Sequence, residues 1–433
     1  MLKDIILKQK LEKEQFSSFP YIERSKDHLG KKWLDSNLIK VVLGPRRAGK
    51  SVYSLMLLKG HPFMYFNFDE EVLASAGGIT TDELMKELHA LYGNVKTILF
   101  DEIQNLPNWE LFANRLHRNG YNLVLTGSNA QLLSQELATH LTGRHIPIEI
   151  LPFDFSEFLR AKKFQIDPQY TSLPKQHGEL LKLLEEYMLH GGFPEVVVNN
   201  LDSKEYLEVL FDSLLFKDVV KRHRVKFSTQ IANLGSYLIN NFANLYSLRK
   251  LQEALNLRSI TTTEKYASYL EEAYLLFSLE RHSTKTTIRL KSARKTYVVD
   301  NGFVTAKAVQ HSPNTGKLME NLVFMELVKR GAQPNRDLFY YKTRNDREID
   351  FVLKKGIHVA ELLQVSYDST NQAVEDREVK ALVEASQELS SQGESASGGN
   401  TVKLTVLTWN EKREAEKYGM TVQFKPLWEW IVS

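Results

Sequence analysis

The chain has 433 residues, of which 42 % are apolar and 25 % are charged, a balance typical of a soluble protein with about three domains. It contains no cysteine, which excludes disulfides, a thiol nucleophile and thiolate metal sites. The net charge is only +3, so any nucleic-acid surface has to be local. Neither a membrane span of ~18 apolar residues nor a signal-peptide pattern is evident, so we expect a cytoplasmic protein with no membrane partner.

Five short apolar segments in the first third of the chain predict buried strands. Helical patterns lie between most of them, and this alternation predicts an α/β fold with a parallel sheet covered on both faces. The predicted strands are residues 38–43, 63–68, 95–100, 121–125 and 146–151.

The first predicted strand runs into the sequence GPRRAGKS and then into a helical pattern at residues 52–58. This is the phosphate-loop pattern G-x-x-x-x-G-K-[ST] in its strand–loop–helix context. Backbone N–H groups and the helix N-terminus would bind phosphate, Lys50 would reach the β- and γ-phosphates, and the Ser51 hydroxyl would hold Mg²⁺. The predicted ATP-binding residues are Gly44, Pro45, Arg46, Arg47, Ala48, Gly49, Lys50, Ser51 and Val52.

The third predicted strand ends in two adjacent carboxylates, Asp101 and Glu102. An isolated Asp-Glu pair is usually a solvated strand end. After a complete phosphate loop, the pair instead predicts metal-assisted hydrolysis, with Asp101 in the Mg²⁺ shell and Glu102 polarising the attacking water.

Three further polar residues are candidates for the same site. Ser128 and Asn129 follow the fourth strand, where they would reach the γ-phosphate or the water, although Gly-Ser-Asn also forms ordinary turns. Arg144 precedes the fifth strand, and two interpretations stay open: an arginine finger or a surface arginine. A finger acting on a neighbouring copy would require a homo-oligomer.

The motifs GPRRAGKS, LFDEIQ, LTGSN and LTGR, in this order, resemble a prokaryotic AAA-type ATPase family whose members carry a C-terminal domain related to PD-(D/E)XK nucleases. The resemblance implies ATP binding and hydrolysis with Mg²⁺ at Lys50, Ser51, Asp101 and Glu102. Further family signatures match residues 155–158, 191–195, 297–302 and 348–351.

Residues 153–285 are mostly helical in pattern, and residues 248–255 and 260–274 predict a helix–turn–helix. Segments 275–279 and 296–299 would frame a β-wing, and a second basic stretch covers residues 217–226. This pattern fits a winged helix that contacts double-stranded DNA through phosphate. The alternative is a winged helix that only packs against protein, since Glu264, Glu271 and Glu272 oppose DNA. The basic residues of the predicted wing are Arg281, Lys285, Arg289, Lys291, Arg294 and Lys295.

The remaining chain predicts the order helix, strand, strand, strand, helix, strand, which resembles the nuclease core. Glu320 and Asp350 occupy two of its functional positions. Gln364 and Ser366 stand where the nucleases have Glu and Lys, and Glu361 belongs to the other face of its strand. The sequence therefore predicts a scaffold or binding module and no nuclease.

Together these patterns predict three domains: a P-loop ATPase domain at 1–160, a helical and winged-helix region at 161–285, and a restriction-endonuclease-like α/β domain at 286–433. We expect ATP hydrolysis coupled to a DNA or protein partner. The alternative is a nucleotide-gated switch with little turnover that binds a partner protein through its C-terminal domain.

Overall fold

The fold is taken from a computed structural model, which describes residues 2–16, 21–70, 80–128, 143–166, 173–307, 314–368, 372–391, 393 and 402–432. The chain divides into two units. The first contains Met1–Phe153 with Glu272–Tyr274, and the second contains Asp154–Glu271 and Leu275–Ser433. The finer division into three domains stays a prediction. No helix among the described residues is both long and apolar enough to cross a membrane.

The first unit is built around a parallel sheet of five strands in the order β2-β3-β4-β1-β5. All five predicted strands are confirmed, each within two residues of its predicted bounds. The strands are β1 Ile39–Leu43, β2 Met64–Asn67, β3 Thr97–Asp101, β4 Asn122–Gly127 and β5 His145–Glu149; the helices are α1 Leu2–Phe16, α2 Asp27–Leu34, α3 Lys50–Leu57, α4 Thr81–Tyr92 and α5 Trp109–Arg118.

The central strand β1 is buried on both faces, as a strand between two helical layers must be. Its residues alternate between two apolar clusters. Val41 and Leu43 pack with Phe100 and Leu125 on one face, while Val42 packs on the other face. Because β1 lies inside the sheet between β4 and β5, its carboxyl end opens at the edge formed by the strands' carboxyl ends, where parallel α/β sheets bind ligands.

The second unit begins with helices that pack on one another. A π-helical segment, Leu215–Lys221, directly follows α9. The α-helices are α6 Phe155–Ala161, α7 Pro174–His190, α8 Pro194–Asn199, α9 Ser203–Leu214 and α10 Ser228–Asn240.

A three-stranded sheet with the order β6-β8-β7 follows, with both neighbouring pairs antiparallel. The connection between β7 and β8, predicted as an open wing, contains a short helix, α13. The elements are β6 Leu245–Tyr246, α11 Leu248–Ala254, α12 Ile260–Glu272, β7 Leu276–Leu279, α13 Thr286–Lys291 and β8 Arg294–Val298.

The C-terminal part holds a mixed sheet of six strands in the order β13-β14-β12-β11-β10-β9. Elements α15 to β12 have the order read from the sequence, whereas β13, β14 and α17 were not predicted. The relation of this sheet to nucleases stays a prediction. The elements are α14 Asn301–Lys307, α15 Thr315–Lys329, β9 Leu338–Lys342, β10 Glu348–Lys355, β11 His358–Ser366, α16 Gln372–Ser391, β12 Lys403–Thr408, β13 Arg413–Lys417, β14 Met420–Pro426 and α17 Leu427–Val432.

Candidate nucleotide-binding site

The loop between β1 and α3 has a backbone that only glycine permits at its first position. Gly44 has φ +143°, and a Cβ there would lie 1.9 Å from the Ile150 carbonyl oxygen. The chain can therefore turn sharply out of the sheet only because residue 44 lacks a side chain. Helix α3 then begins at Lys50, so its free N–H groups face the concave side of the loop.

Lys50 folds back over this loop. Its side chain is buried, Nζ donates a 2.9 Å hydrogen bond to the Pro45 carbonyl oxygen, and the same nitrogen lies 4.0 Å from Glu102 Oε1. An ammonium group held here is positioned to neutralise phosphate charge within the loop.

Ser51 and Asp101 meet at the carboxyl ends of β1 and β3. Ser51 Oγ donates a 3.0 Å hydrogen bond to Asp101 Oδ1, and Asp101 also accepts from the hydroxyls of Thr126 and Tyr65. Burial, followed by the charge of Glu102, raises the pKa of Asp101, while the hydrogen bonds from Thr126 and Ser51 oppose that rise. The result is a buried carboxylate surrounded by hydroxyl groups.

Glu102 adopts an unusual backbone conformation for its residue type, with φ 50° and ψ 45°. Its N–H donates to Thr126 Oγ1 at 3.0 Å, and its carboxylate accepts from the Gln104 amide. Left-handed backbone at a non-glycine residue costs about 1–3 kcal/mol and collects at functional sites. Here it turns the Glu102 side chain away from the direction that β3 would give it.

The other predicted site residues differ in where they lie. Ser128 is buried and its Oγ accepts from Gln104 at 3.4 Å, whereas Asn129 lies outside the described residues. Arg46 forms a 3.6 Å ion pair with Asp69.

The structure does not bring Arg144 to the phosphate loop of its own chain. The Arg144 carbonyl accepts from Ile39 at the start of β1, about 17 Å of strand away from the loop, and its side chain donates to Asn114. A role as a finger towards a neighbouring copy stays a prediction.

Sequence reasoning missed four residues around this site: Thr126, Tyr65, Gln104 and Arg24. Thr126 and Gln104 were inside the quoted motifs LTGSN and LFDEIQ, so their proximity to the acid pair was the available signal. Arg24 had no such signal in the sequence. Its buried guanidinium donates to the carbonyl oxygens of Ala48 and Leu151, and so holds the phosphate loop against the segment that follows β5.

A second polar cluster lies in the C-terminal part, around Lys295 on β8. Lys295 Nζ lies 2.7 Å from Glu320, 2.7 Å from Glu348 and 3.0 Å from Asp350, and Tyr297 donates to Glu320 at 2.7 Å. Burial lowers the pKa of Lys295, but the carboxylates, Glu320 first, more than offset it and leave the pKa raised.

This cluster does not fit the Mg²⁺ that a nuclease site would require. The Lys295 ammonium already occupies the space between the carboxylates, Gln364 supplies only an amide oxygen that accepts from the Asp350 N–H, and Ser366 bonds locally to Asp368. Glu361 pairs instead with Thr405 and Lys403.

The family signatures at residues 191–195 and 297–302 meet at Asp300. The buried Asp300 carboxylate accepts from Gly192 N at 2.8 Å and Gly302 N at 2.9 Å, and a Cβ on Gly191 would lie 1.6 Å from it. Burial raises the pKa of Asp300 to about 6, against the two backbone hydrogen bonds and Lys329. These signatures therefore have a structural explanation.

Most of the basic side chains in the predicted wing are engaged within the chain. Arg281 donates to the Lys342 carbonyl, Arg289 pairs with Glu280, Arg294 pairs with Glu264, and Lys295 belongs to the cluster described above. Exposed cationic groups in the wing are thus fewer than the sequence indicated.

Comparison with known families places the nucleotide site in a defined class. Residues 36–159 match the family described as AAA domain, and residues 181–313 and 315–423 match two domains of unknown function, DUF8612 and DUF4143. By this match, residues 36–159 form an AAA domain, the class to which the P-loop site described above belongs.

Two relatives span most of the chain. The uncharacterized protein MJ1544 of Methanocaldococcus jannaschii is 36 % identical over 410 residues, covering 92 % of this chain and 89 % of that protein. An uncharacterized protein of Haemophilus influenzae is 31 % identical over 350 residues, covering 77 % and 84 %. The chain belongs to the same family as these two relatives.

Solved structures are more distant. The Walker-type ATPase PABY2304 of Pyrococcus abyssi aligns with a TM-score of 0.44 and 16 % identity, covering 67 % of this chain and 99 % of that one. The RuvB Holliday junction branch migration motor of Thermotoga maritima aligns with a TM-score of 0.28 and 16 % identity, covering 62 % and 94 %.

Proposed function

We propose that this protein binds ATP with Mg²⁺ and hydrolyses it to ADP and phosphate. The observation that carries the proposal is the 3.0 Å hydrogen bond between Ser51 and Asp101 at the mouth of the phosphate loop, with Glu102 next in the chain. Two oxygen ligands, one from helix α3 and one from strand β3, converge there beside a lysine and a second carboxylate.

The donor set fits Mg²⁺, which prefers oxygen ligands and keeps several waters, since Ser51 and Asp101 supply one hydroxyl and one carboxylate. When bound, the ion would neutralise charge on the phosphate oxygens. Lys50 would leave the Pro45 carbonyl for the β- and γ-phosphates. Glu102 would accept a proton from the attacking water; its carboxylate is 12 % exposed and lies 4.0 Å from Lys50 Nζ.

Two substitutions test these roles. Lys50→Ala should weaken ATP binding, because the loop loses its cation. Glu102→Gln should keep ATP binding and block multiple-turnover phosphate release, leaving at most a slow residual rate. Glu14→Gln, at an exposed position of α1, is the matched control and should behave like the wild type. Equal turnover in Glu102→Gln and the wild type would overturn the assignment of Glu102.

We further propose that the C-terminal sheet serves as a scaffold for a partner protein and does not cut nucleic acid. The internal pairing of Lys295 with three carboxylates supports this, as do Gln364 and Ser366 at the positions discussed above. The purified protein should not nick plasmid DNA with Mg²⁺ or Mn²⁺. Nicking that disappears in Asp350→Ala would contradict the proposal.

The nucleotide-gated switch remains the second candidate. It is favoured by hydrogen bonds within the site, from Lys50 to the Pro45 carbonyl and from Ser51 to Asp101, which nucleotide binding would have to replace. Tight ATP binding with negligible phosphate release in the wild type would support the switch over the hydrolase.

A further inference from the structure

Gln104 occupies a position beside the proposed general base that the functional assignment has not used. It lies in the single 3₁₀ turn Ile103–Asn105 that follows Glu102. Its Nε2 donates to Glu102 Oε2 and lies 3.4 Å from Ser128 Oγ. One amide group thereby connects the end of β3 with the end of β4.

The other half of this amide has no partner. Among the residues that the structure describes, no donor reaches the Gln104 Oε1 atom, although that atom is buried. Leaving a buried acceptor unsatisfied costs about 1–3 kcal/mol, so such an atom calls for an explanation. Exchanging the amide oxygen and nitrogen would not relieve it, because the oxygen would then face the Glu102 carboxylate.

A water molecule supplies what is missing. Water has two O–H groups, and Glu102 and Gln104 Oε1 offer two neighbouring acceptors beside Lys50. If one O–H points to the carboxylate and the other to the amide oxygen, a lone pair of the water oxygen is directed away from both acceptors. That lone pair is the one that attacks phosphorus.

We propose that Gln104 is a positioning residue for hydrolysis, holding the Glu102 carboxylate through Nε2 and orienting the attacking water through Oε1. The inference rests on the proposed ATPase function. In the step concerned, the water oxygen bonds to the γ-phosphorus, the bond from phosphorus to the bridging oxygen breaks, and its electron pair leaves on ADP. The water's proton passes to Glu102, while the second O–H stays on the phosphate product, donating to Gln104.

The test compares Gln104→Met with the wild type, since methionine has a similar length and offers neither a strong donor nor a strong acceptor. We expect kcat to fall about 10- to 100-fold, in the lower range of the effect of acid–base groups. KM and the affinity for a fluorescent ATP analogue should stay within about threefold. Asn105→Ala, in the same turn but bonded to Phe68 and Asp69, is the matched control and should retain the wild-type kcat.

The double variant separates positioning from a general structural role. If Gln104 acts through the water that Glu102 activates, Glu102→Gln with Gln104→Met should be no slower than Glu102→Gln alone. Wild-type kcat in Gln104→Met, or an equal loss of ATP affinity and kcat, would overturn the inference while leaving the ATPase function intact. Absence of turnover in the wild type, by contrast, would remove both.

Discussion

At the residue scale, Lys295 shows how a buried charge sets the stability of its surroundings. Its side chain is 2 % exposed and contacts three carboxylates, so removing the ammonium leaves negative charges buried together. Breaking a buried ion pair in this way costs about 3–5 kcal/mol.

Lys295→Met should therefore lower the free energy of unfolding of the second unit by about 3–5 kcal/mol, measured by urea unfolding. Lys285→Met, at an exposed position of the same connection, should change it by less than about 0.5 kcal/mol. An unchanged unfolding midpoint in Lys295→Met would contradict a stabilising role for these ion pairs.

Asp300 makes stability depend on pH. Its folded-state pKa is about 6 and its ordinary value is 3.8, so its contribution to stability is present at low pH and is lost as the pH rises through about 6. Between pH 4 and pH 7, the difference in unfolding free energy between the wild type and Asp300→Asn should fall by about 3 kcal/mol. Unfolding of both proteins across this range measures it, and a pH-independent difference would contradict the assignment.

At the same scale, the sequence predicted the phosphate-loop residues and the acid pair, and missed side chains whose role depends on contacts made in the folded chain, even where they lie inside a motif. Lys50, Ser51, Asp101 and Glu102 follow strands whose order can be read from the chain. Lys295 was read as a surface cation of a wing, because nothing in its neighbours indicates that three carboxylates from other elements surround it.

At the scale of elements, the buried strands were predictable because both of their faces are apolar, as in β1. The hairpin of β13 and β14 was missed because four of the five residues in its outer strand are charged and the strand lies at the sheet edge. Charged residues on an edge strand discourage pairing with a strand of another molecule. They also mean that the strand has no apolar pattern by which it could be predicted from the sequence.

Gly44 lets the phosphate loop pass close to Ile150, which follows strand β5. Gly44→Ala should destabilise the first unit and weaken ATP binding, because the new Cβ would lie 1.9 Å from the Ile150 carbonyl oxygen. Gly60→Ala is the matched control, since residue 60 also has positive φ but nothing within 4 Å of a Cβ, and we expect a loss of only about 1 kcal/mol there. Thermal unfolding and nucleotide titration compare the two, and equal losses would contradict the argument from close approach.

At the scale of the whole molecule, the ion pairs and hydrogen bonds that the wing cations form within the chain argue against double-stranded DNA as a partner. With Arg281, Arg289 and Arg294 bonded within the chain, we expect double-stranded DNA to change ATP turnover by less than about twofold at 0.15 M salt. Phosphate release with and without DNA checks this. A salt-sensitive stimulation that is lost in Lys285→Ala with Lys291→Ala would restore the DNA interpretation.

Arg144 lies far from the phosphate loop of its own chain. It could therefore act as an arginine finger only on the nucleotide bound by a neighbouring copy. If it does so, turnover per subunit should rise with protein concentration. Mixing inactive Arg144→Ala with inactive Glu102→Gln should then restore activity, because the second protein supplies the finger to the first protein's intact site. A concentration-independent rate and no restoration on mixing would identify Arg144 as a surface arginine.

The Lys295 cluster also limits how the sequence of this chain can change. Replacing the lysine leaves three acids without their partner cation, and replacing Glu320 or Asp350 removes part of what keeps the lysine buried. We therefore expect single substitutions in the cluster to be harmful and paired changes to be tolerated better. If the sheet descends from a metal-binding nuclease, as the resemblance implies, no single substitution would restore the metal-binding pocket.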